Sequence, residues 1–168
     1  KGTVMKITLS IDSQDSIDIN HSDVANFVSW LDDEEKYAAF FSRLAEHPAG
    51  EVRSAVAIKS ILSHEALQQL ARDSSVEVVR QVANNERALE MFDVSLILEM
   101  IARDVSVAVD IANNLSTVRQ YIRDQVAYVL SKHYTKIEKF LLRMVFLKHL
   151  DEVITREIPL SELKKFGK

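Results

Sequence analysis

Several residue types are scarce or missing in this chain of 168 residues, and each scarcity excludes a class of protein. The chain has no cysteine, which excludes a disulfide scaffold, a Cys-ligated metal site and a cysteine nucleophile. Only 3 Gly and 2 Pro are present, which argues against a turn-rich all-β fold. No apolar run reaches the roughly 20 residues of a membrane span, so we expect no membrane partner. The missing cysteine and the lack of a signal-peptide pattern at the start predict a cytoplasmic protein.

Charge is distributed unevenly along the chain, whose net charge is −4. Residues 1–42 carry 3 Lys or Arg against 8 Asp or Glu, whereas residues 133–168 carry 8 against 5. An acidic beginning and a basic end are therefore separated by a nearly neutral middle. Two interpretations are open: a solvated surface with chance asymmetry, or ends that face a partner or associate head to tail.

The first twenty residues contain a pattern of alternating polar and apolar residues. Two alternating segments flank the turn-forming residues 12–15, and their apolar members are Met5, Ile7, Leu9, Ile11, Ile17 and Ile19. This pattern predicts a β-hairpin as a first domain over residues 5–21. Because an isolated hairpin is only marginally stable, we expect it to pack on helices, pair with another chain or stay partly mobile.

The middle of the chain repeats itself, at an offset of 26 residues between the first two units and of 31 and 29 residues before the third. The repeated elements are pairs of apolar residue and alanine: Leu44-Ala45 with Val56-Ala57, Leu70-Ala71 with Val82-Ala83, and Ile101-Ala102 with Ile111-Ala112. Each unit predicts two short helices with one apolar stripe each, and stacked units bury these stripes against one another. The spacing within the third unit is shorter, and a shortened second helix would account for it.

Helix starts are predicted from residues that act as N-caps. We expect helices to begin at four such residues: Ser22, Asp32, Ser74 and Thr135. The last three have a glutamate three residues later, the capping-box pattern. The helix predicted over residues 136–150 is apolar nearly all round. Two interpretations are open: it lies in the core or forms an end cap, or a partner covers its second face.

The sequence LARDSSVEVVRQVANN at residues 70–85 resembles the repeat of the leucine-rich repeat variant group, within the HEAT-like α-solenoids. The matching features are Leu70-Ala71-Arg72-Asp73, Arg80, Val82-Ala83 and Asn85. The resemblance extends over roughly residues 40–115, although His47-Pro48 replaces the aspartate in the first unit. It implies a mainly α protein: a right-handed α-solenoid of short helix pairs over residues 22–168, with C-terminal capping helices at 116–168.

The sequence contains no complete motif for catalysis or for a cofactor. The five histidines are never three or four residues apart, so no helix face offers a two-His metal grip. His64-Glu65 begins an H-E-x-x-H motif, but Gln68 stands where the second histidine must be. Three isolated glycines exclude a glycine-rich phosphate loop. We therefore predict no enzyme activity, no cofactor and no metal.

Six polar residues of the repeats are candidates for partner binding: Arg53, Arg72, Arg80, Arg103, Asn85 and Asn114. The arginines either line one face of the solenoid or pair with Asp or Glu one repeat over. The asparagines either line a surface or end helices in the left-handed conformation, which Asn tolerates.

These observations predict a non-catalytic protein-interaction module, such as an adaptor, scaffold or inhibitor, that binds a protein through the solenoid surface. Self-association through the hairpin or the charged ends is a further prediction. The alternative is a nucleic-acid-binding or DNA-modifying solenoid that uses repeat-face arginines. It is less favoured because residues 43–132 carry 10 basic against 12 acidic side chains.

Overall fold

The computed structural model describes residues 5–12 and 15–138, with side chains up to Lys132 except that of Ile11. Over this part the protein is mainly helical, as predicted, with a small two-stranded antiparallel hairpin at its N-terminal end. The chain divides into two compact units, residues 1–85 and 86–168. No helix among the described residues is both long enough and apolar enough to cross a membrane.

The hairpin consists of β1 (Ile7–Ile11) and β2 (Asp15–Ile19). Ile7 pairs with Ile19 and Leu9 with Ile17, which places the apolar side chains of both strands on one face, as the alternation predicts. The turn begins at Asp12, whose φ of 48° lies in the left-handed region that Asp tolerates better than most residues. The predicted hairpin is therefore confirmed.

Five helices follow in the first unit, together with a short 3-10 helix at Glu35–Tyr37. They are α1 (His21–Trp30), α2 (Ala38–Leu44), α3 (Gly50–Ala57), α4 (His64–Ala71) and α5 (Val76–Ala83). The core contains the apolar residues of the repeat, because Leu44, Val56, Leu70 and Val82 are all buried. The 26-residue recurrence thus predicted both the helix pairs and their buried stripes in this unit.

Helices α1, α3 and α5 lie parallel and side by side. At the N-terminal ends of α1 and α3, the Ser22 hydroxyl donates to Glu51 at 3.0 Å. At their C-terminal ends, the Lys59 ammonium donates to the Leu31 carbonyl at 2.5 Å. The side-chain amide of Asn85, just past α5, donates to the carbonyls of Ala57 and Lys59 at 2.9 and 3.2 Å. The three helices therefore point in the same direction.

The second unit begins with a helix that has no counterpart in the first two repeats. That helix is α6 (Glu86–Met91). The other described elements of the second unit are α7 (Val94–Arg103), α8 (Val105–Asn113), a 3-10 helix at Leu115–Thr117 and α9 (Gln120–Glu138). The Arg119 guanidinium donates to the carbonyls of Met91 and Phe92, which ties the start of α9 to the end of α6. The inserted α6 accounts for the longer distance in sequence before the third repeat.

The shorter spacing within the third repeat has a different cause from the one predicted. Helix α8 is not shortened, since it has 9 residues and α5 has 8. Asp104 alone connects α7 to α8, whereas residues 72–75 connect α4 to α5. The carboxylate of Asp104 accepts a hydrogen bond from the Ser106 amide at 2.8 Å, and one residue therefore ends one helix and caps the next.

The predicted helix starts are wrong in each of the four cases. The N-cap of α1 is Asn20, whose side chain accepts from the Asp23 amide, rather than Ser22. No α-helix begins at Asp32, since α2 starts only at Ala38. The N-cap of α5 is Ser75, not Ser74; its side chain makes no capping bond, and its amide donates to the Asp73 carboxylate at 2.8 Å. Helix α9 runs through Thr135 without a break. At α1, Asn20 offers the same kind of capping oxygen as Ser22, and local sequence does not distinguish the two.

In the C-terminal region, the buried face of α9 includes Ile122 and Val126, whereas Tyr121 is exposed. Of the predicted helix 136–150, residues 139–150 lie outside the described residues. The predicted capping helices at 116–168 are described only as far as residue 138.

Candidate functional site

A groove of about 620 Å³ crosses the first unit over α1, α3 and α5. Most of its lining side chains are small, which lets the neighbouring helices approach and leaves open space above them. The lining residues are Ser29, Gly50, Glu51, Ser54, Ala55, Ile58, Ser75, Glu77 and Gln81. A Cβ atom added at Gly50 would lie 3.8 Å from Ser75, in ordinary contact, so the glycine is not required for the close approach.

The two ends of the groove differ in chemistry. Glu51 and Glu77 lie in the first turns of α3 and α5, where a carboxylate interacts favourably with the helix dipole. Ile58, just past the end of α3, is exposed. Because the helices are parallel, the groove has an acidic end and an apolar end. Among the described residues, none that lines the groove is Lys or Arg.

A second exposed apolar side chain near this end, Trp30, does not line the groove. It is the last residue of α1, directly after the groove-lining Ser29, and its side chain is 83% exposed. Phe27, one turn earlier, is also exposed, because Val24 and Val28 supply the buried face of α1. Trp30 is not among the residues predicted to bind a partner. Its position off the Val24–Val28 stripe was the signal that could have identified it.

Arg53, one of the predicted partner-binding residues, is used inside the first unit. Its guanidinium forms a bidentate pair with Asp73, at 2.5 Å from Nε to Oδ2 and 2.9 Å from Nη2 to Oδ1. It also donates to the carbonyls of His47 and Pro48 at 2.7 and 2.8 Å. The Asp73 carboxylate raises the pKa of Arg53. The interpretation that arginines pair with an acid one repeat over is confirmed for this residue.

His47 belongs to the same network, on the loop between α2 and α3. Its Nδ1 accepts a hydrogen bond from the Ala49 amide at 3.0 Å, which requires that nitrogen to be unprotonated. Burial of the imidazole lowers the pKa of His47, and the nearby charges of His21 and Arg53 act in the same direction. The neutral imidazole is therefore the form that holds this loop.

The two candidate asparagines serve helix ends. Asn85 is buried, and its amide holds the ends of α5 and α3 together as described above. Asn114 ends α8, and its side chain donates to the Asp110 carbonyl at 2.9 Å. The left-handed conformation predicted for such residues is wrong for Asn84 and Asn114, which have φ of −95° and −105°. They adopt the bridge region, where the last turn tightens without positive φ.

The remaining candidate arginines are more accessible. Arg72 and Arg103 are exposed, and Arg80 is half-buried with a bond to Glu77 at 3.3 Å. The structure therefore brings Arg53 and Asn85 into the interior of one unit and leaves Arg72 and Arg103 at the surface. Among the described residues, no group of three His, Asp or Glu side chains is arranged to hold a metal ion.

Comparisons with models of protein families, with curated proteins and with solved structures gave no significant match to this chain. The resemblance to the leucine-rich repeat variant group therefore stays a prediction, carried by the sequence of residues 70–85.

Proposed function

We propose that this chain is a non-catalytic protein-interaction module that binds its partner in the groove over α1, α3 and α5. The observation that carries the proposal is a groove lined by the exposed Ile58, Glu51 and Glu77, with the exposed Trp30 at the end of α1, next to the groove-lining Ser29. Trp is among the residues that contribute most to binding at protein interfaces. An acidic end favours a partner with Lys or Arg at the matching position.

The partner segment that fits this chemistry has a bulky apolar residue at one end and basic residues at the other. The apolar residue contacts Trp30 and Ile58, and the basic residues face Glu51 and Glu77. Because those glutamates are exposed, their contribution is to orientation and association rate more than to affinity, and it weakens as salt rises. We also propose a cytoplasmic location for this interaction.

We further propose that the row α1, α3 and α5 belongs to a right-handed α-solenoid of the leucine-rich repeat variant or HEAT-like type. Lys59 and Asn85 support this, since they follow α3 and α5 at equivalent repeat positions. Lys59 donates to the Leu31 carbonyl and Asn85 to the Ala57 carbonyl, each 28 residues earlier in the chain. One contact thus recurs from repeat to repeat, which is how stacked repeats hold their neighbours.

Nucleic-acid binding is the second candidate, favoured by the exposed guanidinium groups of Arg72 and Arg103. Such binding depends on several cations that neutralise phosphates. Arg53 is occupied by Asp73, and the groove itself is acidic at one end. These features support the protein partner over the nucleic acid.

The test is to recover partners from native extract and then measure the purified partner by calorimetry against variants of the full chain. We expect Trp30→Ala to weaken binding by roughly 30-fold, the loss of an interface hot spot. Tyr121→Ala is the matched control, since Tyr121 is an exposed aromatic residue of the second unit and should have no effect. Equal affinities for the two variants would exclude Trp30, and with it the apolar end of the proposed interface. Micromolar binding of DNA or RNA that Arg72→Ala abolishes would favour the alternative.

A further inference from the structure

The outer edge of β1 is the feature that the functional proposal leaves unused. Among residues 5–12 and 15–138, the sheet consists of β1 and β2, which pair with each other. Within the described part of the chain, no backbone group outside β2 bonds to residues 7–11. The adjoining side chains of Leu9 and Ile17 are 51% and 67% exposed. An edge of this kind can accept a further strand.

The two outer edges of the hairpin differ in charge. β2 contains Asp15 and Asp18, and charged side chains on an edge strand oppose pairing with another chain. β1 has the sequence Ile7-Thr8-Leu9-Ser10-Ile11 and contains no charge. The β1 edge is therefore the one open to a further strand.

The sequence of β1 is complementary to itself in antiparallel pairing. About a twofold axis at Leu9, Ile7 lies opposite Ile11 of a second copy, Thr8 opposite Ser10, and Leu9 opposite Leu9. Apolar residues thus meet apolar residues and hydroxyls meet hydroxyls. The same register places Lys6, which is paired with Asp18 of its own hairpin at 2.8 Å, opposite Asp12 of the second copy.

We propose that two copies of this chain associate by antiparallel pairing of β1 with β1, about a twofold axis at Leu9. The result is a four-stranded sheet with the order β2-β1-β1-β2. Pairing of β2 with β2 about Ile17 would place each Asp15 opposite Ile19 and each Asp18 opposite Ser16 of the second copy, and pairing of β1 with β2 would leave edges open for further copies. The β1 pairing alone closes as a dimer and hides the uncharged edge. A hairpin that is marginal by itself gains the stability of a larger sheet.

This inference specifies how the hairpin mediates the predicted self-association and does not depend on the groove. The test is light scattering of the full chain from about 1 μM to about 200 μM. We expect a wild-type dimer, and Leu9→Lys should raise its dissociation constant by roughly tenfold or more, because two lysines then face each other at the axis. Ile17→Lys is the matched control, since it makes the same change on the same face, one strand away from the axis, and should leave the dimer intact.

A mixture of variants tests the axis itself. Leu9→Lys and Leu9→Glu should each be monomeric alone and form a heterodimer when mixed, because opposite charges then meet at the twofold axis. A wild-type chain that stays monomeric over this concentration range would overturn the proposal. If Ile17→Lys dissociates the dimer as strongly as Leu9→Lys, the copies associate through the apolar face of the hairpin, and the β1 pairing is wrong. Neither result would alter the calorimetric test of Trp30, so the two proposals can fail separately.

Discussion

The same three residues, Ala-Asn-Asn, end α5 and α8, but the two helices use them differently. After α5, Asn84 bonds to a carbonyl of its own helix, while Asn85 reaches the end of α3. After α8, Asn113 is still helical, and Asn114 forms the bond within its own helix. Asn114 therefore makes the same kind of bond as Asn84, to a carbonyl of its own helix, although the repeat pattern aligns Asn114 with Asn85. A repeat sequence fixes the local chemistry of a helix end but not its register or its contact with the next repeat.

The largest loss of stability should follow a substitution in the buried apolar stripe of a repeat. Leu70→Asp places a charge where the native side chain is fully buried, which costs several kcal/mol and should unfold the protein. Arg72→Ala, two residues later and exposed, should change the free energy of unfolding by about 0–1 kcal/mol. Chemical denaturation followed by circular dichroism measures both variants. Similar effects would mean that the repeat register is wrong.

The next effect concerns the ion pair that joins two repeats. Arg53→Ala leaves the Asp73 carboxylate, 9% exposed, without its bidentate partner and should cost about 3 kcal/mol of unfolding free energy. Arg103→Ala is the matched control on an exposed arginine and should cost less than about 0.5 kcal/mol. If the two variants are equally stable, Arg53 does not hold the repeats together, and it is again a candidate for partner binding.

The asparagine comparison can be tested directly by three alanine variants. Asn85→Ala removes the donor to two carbonyls and should cost about 2 kcal/mol. Asn84→Ala and Asn114→Ala each remove one bond within a helix and should cost roughly 0.5–1 kcal/mol. Denaturant midpoints at constant slope report the differences. An equal cost for Asn85 and Asn114 would show that the two helix ends are equivalent after all.

The smallest effect is a pH dependence from His47. Its pKa is lowered in the folded state, so the unfolded chain takes up the proton first. The contribution of His47 is fully present above about pH 6.5 and decreases as the pH falls toward the folded pKa. Protonation removes the acceptor for the Ala49 amide, one bond of about 1 kcal/mol or less.

His47→Asn is the control for this pH dependence. An asparagine oxygen at the same position can accept the amide two residues later, as in an Asx turn, and does not titrate. Comparing unfolding free energies at about pH 7.5 and about pH 5.5 isolates the histidine, and the wild type should lose more stability than His47→Asn. Equal losses would exclude His47 as the source.

Sequence patterns predicted the parts of the fold that depend on periodicity. The period-2 alternation located the hairpin, and the 26-residue recurrence located the helix pairs of the first unit together with buried residues such as Leu70 and Val82. The start predicted at Ser22 was wrong because Asn20, two residues earlier, offers the same kind of capping oxygen, and the start predicted at Ser74 was one residue early. Local sequence does not distinguish between nearby polar residues that could each cap a helix. Packing sets the direction in which the chain enters the helix, and that direction selects the capping residue.

The candidate site was less predictable. The acidic and apolar character of Glu51, Glu77 and Ile58 was visible in the sequence, but their shared groove was not. It depends on α1, α3 and α5 lying parallel, which is fixed by contacts between residues 20 or more positions apart. Trp30 was missed because an aromatic residue in a helix is usually buried, and its exposure became clear only when Val24 and Val28 were found to form the core face.

The sequence by itself determined the helical character, the hairpin and the buried stripes, because these follow from the spacing of apolar residues along the chain. Tertiary structure alone decided which polar residues are used inside the protein and which reach the surface. Arg53 and Arg72 are the same residue type in neighbouring repeats, yet one holds Asp73 and the other is exposed. The difference arises because a side chain's partner is set by the element packed beside it, and that element comes from a distant part of the sequence.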